Sequence, residues 1–484
     1  MLWLLLFYVL LLFSVSFGVG RNLTASDFYL GSRRSPWYVV AFGMIGASIS
    51  GVTFVSVPGW VESTGFTYIQ MCIGFFFGYC VVAYLLLPLY YRMNLTSIYG
   101  YLEARFGLSA RRTGAIFFLV SKLTGSAAKL YVAVLVLHRL LFEEWGISFS
   151  MSLVGVVAII WLYSYRGGIR TIVWTDFVQT FFLLLALSLL LVNVVGLLDV
   201  DFSSALSLVG ESDYSRLFVW DDWVSPRHFF KQFLSGIFVV IVMTGLDQDL
   251  MQKNLSCKDL RSSRKNMLVY GAAFIPVNLL FLSLGVLVIT FFRQTGVEVP
   301  PSGDELLPAF VRYAGPWALG CFLIGMLASA FSSADSALTS LTTSTIVDVA
   351  GWENKKGVFA RRSRLVFHLL FSLLLILFAL AFYSFKESSA INLIYTLVSY
   401  LYGPLLGMFA FGLFTKWNVR QSYVPFVAVA APLLTYAVDG WLNATFSYKM
   451  GYEMLLLNGG WMFVGLLLIR SGATSGLPDT KGSC

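Results

Sequence analysis

The sequence predicts an all-α, polytopic membrane protein with about thirteen transmembrane helices. Hydrophobic residues make up 58% of its 484 positions and charged residues only 12%, which lies far from the composition of soluble domains. The apolar residues form blocks of roughly 20 residues, the length that crosses about 30 Å of hydrocarbon. Short polar loops between the blocks hold most of the charge. A soluble core cannot bury so much apolar surface, so these blocks are expected to lie in a bilayer.

The apolar blocks can be read in order along the chain. They cover residues 1–20, 36–60, 66–91, 114–141, 147–164, 172–197, 231–250, 266–292, 315–348, 362–383, 391–414, 422–441 and 451–470. The first block has no basic stretch before its apolar run and no clear small-residue cleavage site before Arg21. It is therefore interpreted as a retained helix rather than a signal peptide.

The basic residues of the loops predict the orientation of the chain. Lys and Arg near helix ends resist translocation, so the loops that are rich in them face the cytoplasm. These basic loops lie around residues 21–34, 92–112, 166–170, 253–265 and 355–364. The N-terminus is then outside and the C-terminus in the cytoplasm of a plasma membrane or bacterial inner membrane. The same bias, in which Lys253 is counted, explains the net charge of +8 without a nucleic-acid partner and predicts contact with anionic membrane lipid.

Motifs for several other functions are missing from the sequence. There is no Walker motif, so any energy for transport comes from a gradient. The five cysteines form no CxxC pair, which supports neither a disulfide framework nor a transition-metal site. A membrane enzyme needs a cluster of catalytic side chains near one interface, and none is visible. We therefore expect no enzyme activity, no organic cofactor and no obligate protein partner.

Two blocks carry small and polar residues where a spanning helix is normally apolar. In block 2 these residues extend from Gly43 to Gly59. A helix can break near the middle of the membrane when its freed carbonyls line a cavity or bind an ion. Block 7, five blocks later, has Ser235, Gly236 and Thr244–Gly245 around an apolar centre. A pair of broken helices five apart predicts a five-plus-five inverted repeat. Small residues can instead allow close helix packing, the interpretation we favour for block 7.

Block 9 holds the densest group of candidate ion ligands. Ser329, Ser332, Ser333 and Ser336 are spaced i, i+3, i+4 and i+7 and so lie on one helical face, with Asp335 at its flank. Hydroxyl and carboxylate oxygens suit a small, hard cation. The alternative is that the serines bond to carbonyls of their own preceding turn. The density of oxygen ligands favours ion binding.

Three other charged residues of the blocks have two interpretations each. Asp176, at the cytoplasmic start of block 6, is either an ion ligand or a helix-start carboxylate favoured by the macrodipole. Lys122 and Lys129 are seven residues apart in block 4, with Gly125 and Ser126 on the same face. Such lysines can contact an anionic substrate or pair with a buried aspartate. For Lys122 we favour extension to the cytoplasmic edge.

Five short motifs are spread along nearly the whole chain. They are Gly46-Ala-Ser-Ile-Ser50 leading to Val57-Pro58-Gly59, Tyr101-Leu-Glu103-Ala-Arg105-Phe-Gly107, Gly167-Gly168 through Thr175-Asp176 to Gln179, Asp247-Gln248 to Gln252-Lys253, and Ser332-Ser333-Ala-Asp335-Ser336. Together they resemble the sodium/solute symporter family, which includes sugar, proline, sialic acid, iodide and monocarboxylate carriers. The resemblance extends from about Phe28 to about Trp417.

The resemblance implies a LeuT-like, five-plus-five inverted-repeat fold with a broken first core helix. The ten-helix transporter core then covers 36–414. One peripheral transmembrane helix at 1–20 precedes it, two more at 422–470 follow, and 471–484 is a cytoplasmic tail. The implied function is sodium-coupled import of a small organic solute by alternating access. A sodium-responsive sensor on the same fold would need a cytoplasmic output domain, which is not visible.

The resemblance also implies two groups of sodium ligands. The first consists of the carbonyls of Gly46 and Ile49 and the hydroxyls of Ser329, Ser332 and Ser333. The second, present in some family members, consists of Asp176, Ser332, Asp335 and Ser336. Asp335 replaces a hydroxyl residue of sialic acid and sugar carriers, and so either strengthens a second sodium site or admits a proton. Proton coupling through Asp176 and Asp335 is therefore an alternative to sodium coupling.

Substrate contacts are implied less directly. The matching positions are Ser48, Ser50, Thr53, Tyr68, Cys72, Lys129 and Tyr395. The pattern in block 2 looks more like that of sialic acid and anion carriers than that of glucose carriers. Lys129 lies about one turn from the position, here Gly125, where sialic acid carriers place a carboxylate-binding arginine. We expect an organic anion such as sialic acid or a monocarboxylate, with a neutral sugar or amino acid as the alternative.

Overall fold

The computed structural model describes residues 2–20, 25–165, 167–355, 357–385, 396, 399–448 and 450–473, which are almost wholly helical. The helices are α1 (Leu2–Val19), α2 (Ala25–Leu30), α3 (Trp37–Ser48), α4 (Gly51–Thr64), α5 (Tyr68–Val81), α6 (Leu87–Arg92), α7 (Gly100–Phe106), α8 (Leu108–Leu137), α9 (Phe149–Ser164), α10 (Gly168–Leu197), α11 (Phe202–Gly210), α12 (Phe229–Val240), α13 (Gln248–Leu255), α14 (Leu260–Thr295), α15 (Gly303–Tyr313), α16 (Pro316–Ser344), α17 (Gly357–Phe385), α18 (Gly403–Phe414), α19 (Val424–Phe446) and α20 (Met454–Leu468). Two short strands, β1 (Trp417–Val419) and β2 (Arg470–Ala473), pair antiparallel.

Apolar helices of spanning length dominate the described part of the chain. Seven continuous segments qualify: Gly51–Arg92, Leu108–Trp145, Gly168–Leu197, Leu260–Thr295, Pro316–Val349, Gly357–Ser384 and Gln421–Phe446. The bent pair α12 and α13 can form an eighth span, and shorter apolar helices include α1, α3, α9, α18 and α20. The predicted all-α, polytopic membrane fold is confirmed. The count of thirteen remains a prediction because 386–395, 397 and 398 lie outside the described residues.

The predicted break in block 2 separates α3 from α4. Ile49 ends α3 with ψ of 88°, outside the helical region. The N–H of Ser50 donates to the carbonyl of Ser48 at 3.1 Å, so it does not continue the helical ladder to Gly46. The chain resumes as a helix at Gly51. The break therefore lies within the run of small and polar residues that predicted it.

Block 7 is also broken, and our preference for an unbroken, closely packed helix was wrong. The axes of the segments Phe229–Gly245 and Gln248–Leu255 differ by 67°. Asp247 starts the second segment as an N-cap, because its Oδ1 accepts hydrogen bonds from the backbone N–H groups of Asp249 (2.9 Å) and Leu250 (3.3 Å). A helix can restart at such a cap without leaving its first donors unpaired.

Close helix packing nevertheless occurs in block 7, within α12, before the bend. A Cβ added to Gly236 would lie 2.4 Å from the carbonyl oxygen of Met71. A glycine is therefore required where α12 approaches α5. Block 7 thus combines two features: Gly236 allows α12 to contact α5, and the bend follows after Gly245.

The broken helix α3–α4 lies against the central helices of the bundle. α10 packs against α16, α3 and α1, while α16 also packs against α8 and α4. In the most apolar stretch of α16, 78% of the residues are buried, against 22% for the segment that contains α19. α16 is therefore an interior helix. Its serine-rich face lies beside the break between α3 and α4.

Candidate ion and solute sites

The break between α3 and α4 and the serine face of α16 are in direct contact. Ser329 Oγ donates a hydrogen bond to the carbonyl oxygen of Ile49 at 2.8 Å, and Ser332 Oγ donates to Asp176 Oδ1 at 2.6 Å. These serines bond to other helices, so the alternative that they only bond to their own preceding turn is wrong for both. Ser333 Oγ is shielded from solvent and has no hydrogen-bond partner in the described part of the chain. An unpaired buried hydroxyl is costly unless it binds something else.

Several oxygen atoms of α3 and α16 are candidate ion ligands. Ile49 contributes a carbonyl, Ser329 and Ser333 contribute hydroxyls, and Gly46 contributes a carbonyl that Ser50 does not engage. A Cβ on Gly46 would lie 2.0 Å from Thr180 Oγ1, so the glycine allows α3 to lie directly on α10. All of these candidates are neutral oxygens, which suit a small, hard cation better than a transition metal.

The residues predicted for a second sodium ion make separate contacts. Asp176 Oδ2 lies 2.7 Å from Lys253 Nζ, and both side chains are 1% exposed. Ser332 contacts the other oxygen of the same carboxylate. Ser336 Oγ instead donates to Asp249. The carboxylate that was expected to hold an ion is thus already paired with a lysine.

Asp335 forms its hydrogen bond with a different helix, α9. Its Oδ2 accepts a hydrogen bond from the hydroxyl of Tyr163 at 2.7 Å. Its Oδ1 is buried and, within the described residues, has no hydrogen-bond partner. The side chain is 0% exposed. Asp335 therefore has one free carboxylate oxygen in the protein interior.

The buried position of Lys253 corrects its assignment to a basic cytoplasmic loop. Block 7 was expected to end at about residue 250, but α13 continues the span past the bend and carries Lys253 into the interior. A lysine can remain charged there because Asp176 supplies the counter-charge. The remaining basic loops still support the predicted orientation, which stays a prediction.

A cavity of about 150 Å³ lies beside the break between α3 and α4. Five of the seven predicted substrate residues line it: Ser48, Ser50, Thr53, Tyr68 and Lys129. Cys72 is fully buried and is not among the lining residues. Tyr395 lies outside the described residues.

Hydroxyl groups make up much of the polar wall of the cavity. Ser48 and Tyr270 share a hydrogen bond between their hydroxyls, and Tyr79 donates to Tyr270 at 2.8 Å. Ser50 and Thr53 are 3.5 Å apart at their side-chain oxygens. A solute in this cavity would meet donors and acceptors on one side, with Phe75 among the aromatic residues around it.

The two lysines of α8 both line the cavity but differ in their partners. Lys122 Nζ lies 2.6 Å from Asp249 Oδ2 and 3.3 Å from Asp247 Oδ2. Our preferred interpretation, that Lys122 extends to the cytoplasmic edge, is therefore wrong. Lys129 has neither an ion pair nor a hydrogen bond among the residues that the structure describes. A Cβ at Gly125 would meet nothing within 4 Å, so space remains on the same face.

Several residues of the cavity were missed by the sequence analysis. Tyr79, Tyr270 and Tyr402 gave no signal, because a tyrosine in a membrane block is most simply read as packing. Asp249 did give one, since a carboxylate two residues after Asp247 in a spanning block is unusual. Tyr402 donates to Asp247 Oδ2 at 2.6 Å, which connects the start of α18 to the cap of α13.

Two broken helices and a cavity lined by residues of both breaks are typical of secondary transporters of the membrane. The chain belongs to the sodium:solute symporter family, whose model matches residues 28–421. The family assignment agrees with the resemblance found in the sequence. Sodium-coupled solute symport on a LeuT-like fold is thereby confirmed as the class of function.

Individual relatives are distant but extend over most of the chain. The sodium/sialic acid symporter NanT of Aliivibrio fischeri is 23% identical over 452 residues, which cover 91% of this chain and 88% of that protein. The human sodium/iodide cotransporter is 24% identical, and the rabbit sodium-dependent multivitamin transporter 27%. The matches to these two cover 84% of this chain and 65% of each relative.

Solved structures show the same fold. A Na⁺-coupled sialic acid symporter in a substrate-bound, outward-open state has a TM-score of 0.80 and 20% sequence identity, with 97% of this chain and 98% of that chain covered. Mhp1, a nucleobase-cation-symport-1 family transporter in a closed conformation, has a TM-score of 0.54 at 14% identity. Both are transporters, as is expected for this fold.

Proposed function

We propose that the solute of this sodium symporter is a small organic anion, such as sialic acid or a monocarboxylate, and that it is imported by alternating access. The observation that carries the proposal is the position of Lys129, which lines the cavity and forms no salt bridge with a described residue. Lys129 is partly buried, and a cation in a membrane protein's interior is costly unless it is paired. An anionic solute would supply the missing charge.

The neighbouring lysine, Lys122, differs from Lys129 because it already has acidic partners. Lys122 faces the same cavity, but Asp249 and Asp247 already neutralise it. Lys129 is therefore the cation that is available to a carboxylate, while the hydroxyls of Ser48, Ser50 and Tyr270 can accommodate other polar groups. Relatives named as carriers of sialic acid, iodide and monocarboxylates all take anions, which supports the same class of solute.

For the coupling ion we propose the ligands Gly46, Ile49, Ser329, Ser332 and Ser333. The unpaired hydroxyl of Ser333 supports this assignment, because a bound sodium ion would satisfy it. An ion at this position would hold α3 against α16 beside the solute cavity, so that ion and solute binding favour the same closed state. Release of both on the cytoplasmic side, in the predicted orientation, completes import.

A thermal-shift screen of the purified protein tests the proposal. Sodium chloride or the matched potassium salt would be combined with N-acetylneuraminic acid, pyruvate, glucose and proline. We expect sodium to raise the unfolding temperature and an anion to raise it further. At a ligand concentration of 100 times Kd, binding stabilises the folded state by about 2.7 kcal/mol.

Three variants test the anionic solute and the sodium site separately. Lys129→Gln should weaken the affinity for the anion at least tenfold, about 1.4 kcal/mol, while the response to sodium is kept. Ser333→Ala should lose the response to sodium. The control Lys258→Gln changes an exposed lysine and should behave like the parent protein. Stabilisation by a neutral solute, unchanged in Lys129→Gln, would contradict the anion, and stabilisation by acid in place of sodium would indicate proton coupling.

A further inference from the structure

We infer that the ammonium group of Lys253 takes the place of a second sodium ion, so that this carrier binds and moves one sodium ion in each cycle. The inference rests on the sodium-coupled function proposed above. Its basis is the contact of Lys253 Nζ with Asp176 Oδ2 at 2.7 Å, between two side chains that are each 1% exposed. Asp176 is the carboxylate that the family resemblance implied for the second ion.

Both oxygens of Asp176 are engaged in this arrangement. Oδ1 accepts the hydrogen bond from Ser332 at 2.6 Å, and Oδ2 faces the ammonium group. A sodium ion on the same carboxylate would lie close to the lysine. Two unit charges about 4 Å apart repel by about 4 kcal/mol at an effective dielectric constant of 20. The covalently attached cation therefore excludes the mobile one.

The surrounding charges hold Lys253 in this position. Asp249 and Asp335 are near enough to add attraction to that of Asp176. The residue lies on α13, which is buried along its whole length, and its ammonium group is enclosed between helices of both repeats. Among the described residues, Asp176 is the carboxylate that forms a salt bridge with Lys253.

The tethered charge changes the energetics of transport. A sodium ion that enters the cell releases free energy from its gradient and from the membrane potential, about 2.3 kcal/mol per 100 mV for the potential alone. Lys253 stays in the protein and releases none. With one sodium ion and one monovalent anion, the net charge moved is zero. The solute is then accumulated only as far as the sodium concentration ratio allows, whatever the membrane potential.

Direct binding of ²²Na⁺ to the purified, full-length protein tests the inference without any solute. We expect one ion per protein molecule, and a binding curve with a Hill coefficient of 1. Two ions per molecule in the unaltered protein would overturn the inference but leave sodium coupling intact. The absence of any sodium binding would overturn the proposed function itself, so the two failures are distinguishable.

Substitution of the lysine provides a second test. Lys253→Gln frees Asp176, and the number of bound ions should rise from one to two. Lys253→Arg keeps the positive charge and should remain at one. The matched control is the double variant Lys253→Gln/Asp176→Asn, which should also remain at one because the carboxylate is missing. If folded, monodisperse Lys253→Gln binds one ion, the inference is wrong; if that variant does not fold, the ion count of the unaltered protein decides.

Discussion

The two broken helices of this transporter present different chemistry at similar breaks in the backbone. At the break between α3 and α4, the polar groups in contact are neutral: the hydroxyl of Ser329 donates to the carbonyl of Ile49. At the break between α12 and α13, the helix restarts at a carboxylate, and the residues that follow include Asp249 and Lys253. The first break is suited to a cation from solution. At the second break, the charged groups are side chains of α13 itself.

The charges of the second break neutralise residues from the other half of the core. Lys122 on α8 pairs with Asp249, and Asp176 on α10 pairs with Lys253. In the proposed five-plus-five arrangement, both ion pairs therefore connect the first repeat to α13. The residues next to the break thus decide whether a broken helix is suited to binding an ion or to forming ion pairs between the repeats.

The largest expected effect concerns the charged break. Asp249→Asn would leave Lys122 with only its longer contact to Asp247, and Ser336 would donate to a neutral amide oxygen in place of a carboxylate. Loss of one partner from a buried ion pair costs about 3 to 5 kcal/mol, so the unfolding temperature should fall markedly. Thermal unfolding in detergent measures the change.

A double variant provides the control for this prediction. In Lys122→Gln/Asp249→Asn both charges of the pair are removed, so the loss of stability should be smaller than the sum of the two single losses. Simple additivity would show that the pair contributes no coupling, and the contrast between the two breaks would then be lost.

The neutral break depends on close contact between helices. In Gly46→Ala the new methyl group would overlap Thr180, whose Oγ1 and Cα lie 2.0 and 3.0 Å from the Cβ position. Overpacking of this kind costs about 1 to 3 kcal/mol. Gly155→Ala is the matched control, because a Cβ there meets nothing within 4 Å. Equal unfolding temperatures for the two variants would show that α3 can shift away from α10 without cost.

The smallest effect is expected from a single ion ligand. Ser329→Ala removes the hydroxyl that contacts the carbonyl of Ile49, and should weaken sodium affinity about tenfold, or 1.4 kcal/mol, with little change in stability. Sodium titration of the unfolding temperature measures this. Ser340→Ala on the same helix removes a hydroxyl that bonds within its own turn to Ala337. It should leave the affinity unchanged, and an equal loss in both variants would argue against the site.

The neutral break could be predicted from the sequence because its signal is local. Small and polar residues interrupt an apolar block around Gly46, and the serines of α16 repeat with the period of a helix. Both patterns lie within single segments. The structure places the two segments together, as the contact between Ser329 and Ile49 shows.

The charged break could not be predicted in the same way. The restart of the helix depends on Asp247 as a cap, which is easily overlooked in a block judged by its hydrophobicity. The position of Lys253 depends on Asp176, a residue far away in sequence and on another helix, so hydropathy assigned the lysine to a loop. Cys72 was expected in the cavity wall from its family position, but the helix turns it into the protein, and Phe75 lines the cavity instead.

The ion pairs between the repeats also matter while the chain is being made. Lys122 and Asp176 emerge from the ribosome before Asp249 and Lys253, because translation proceeds from the N-terminus. The early helices therefore enter the membrane with charges whose partners do not yet exist. An unpaired charge is costly in lipid, so those helices are fully stabilised in the membrane only after α13 has been made. Biogenesis of the first half is thus tied to synthesis of the second.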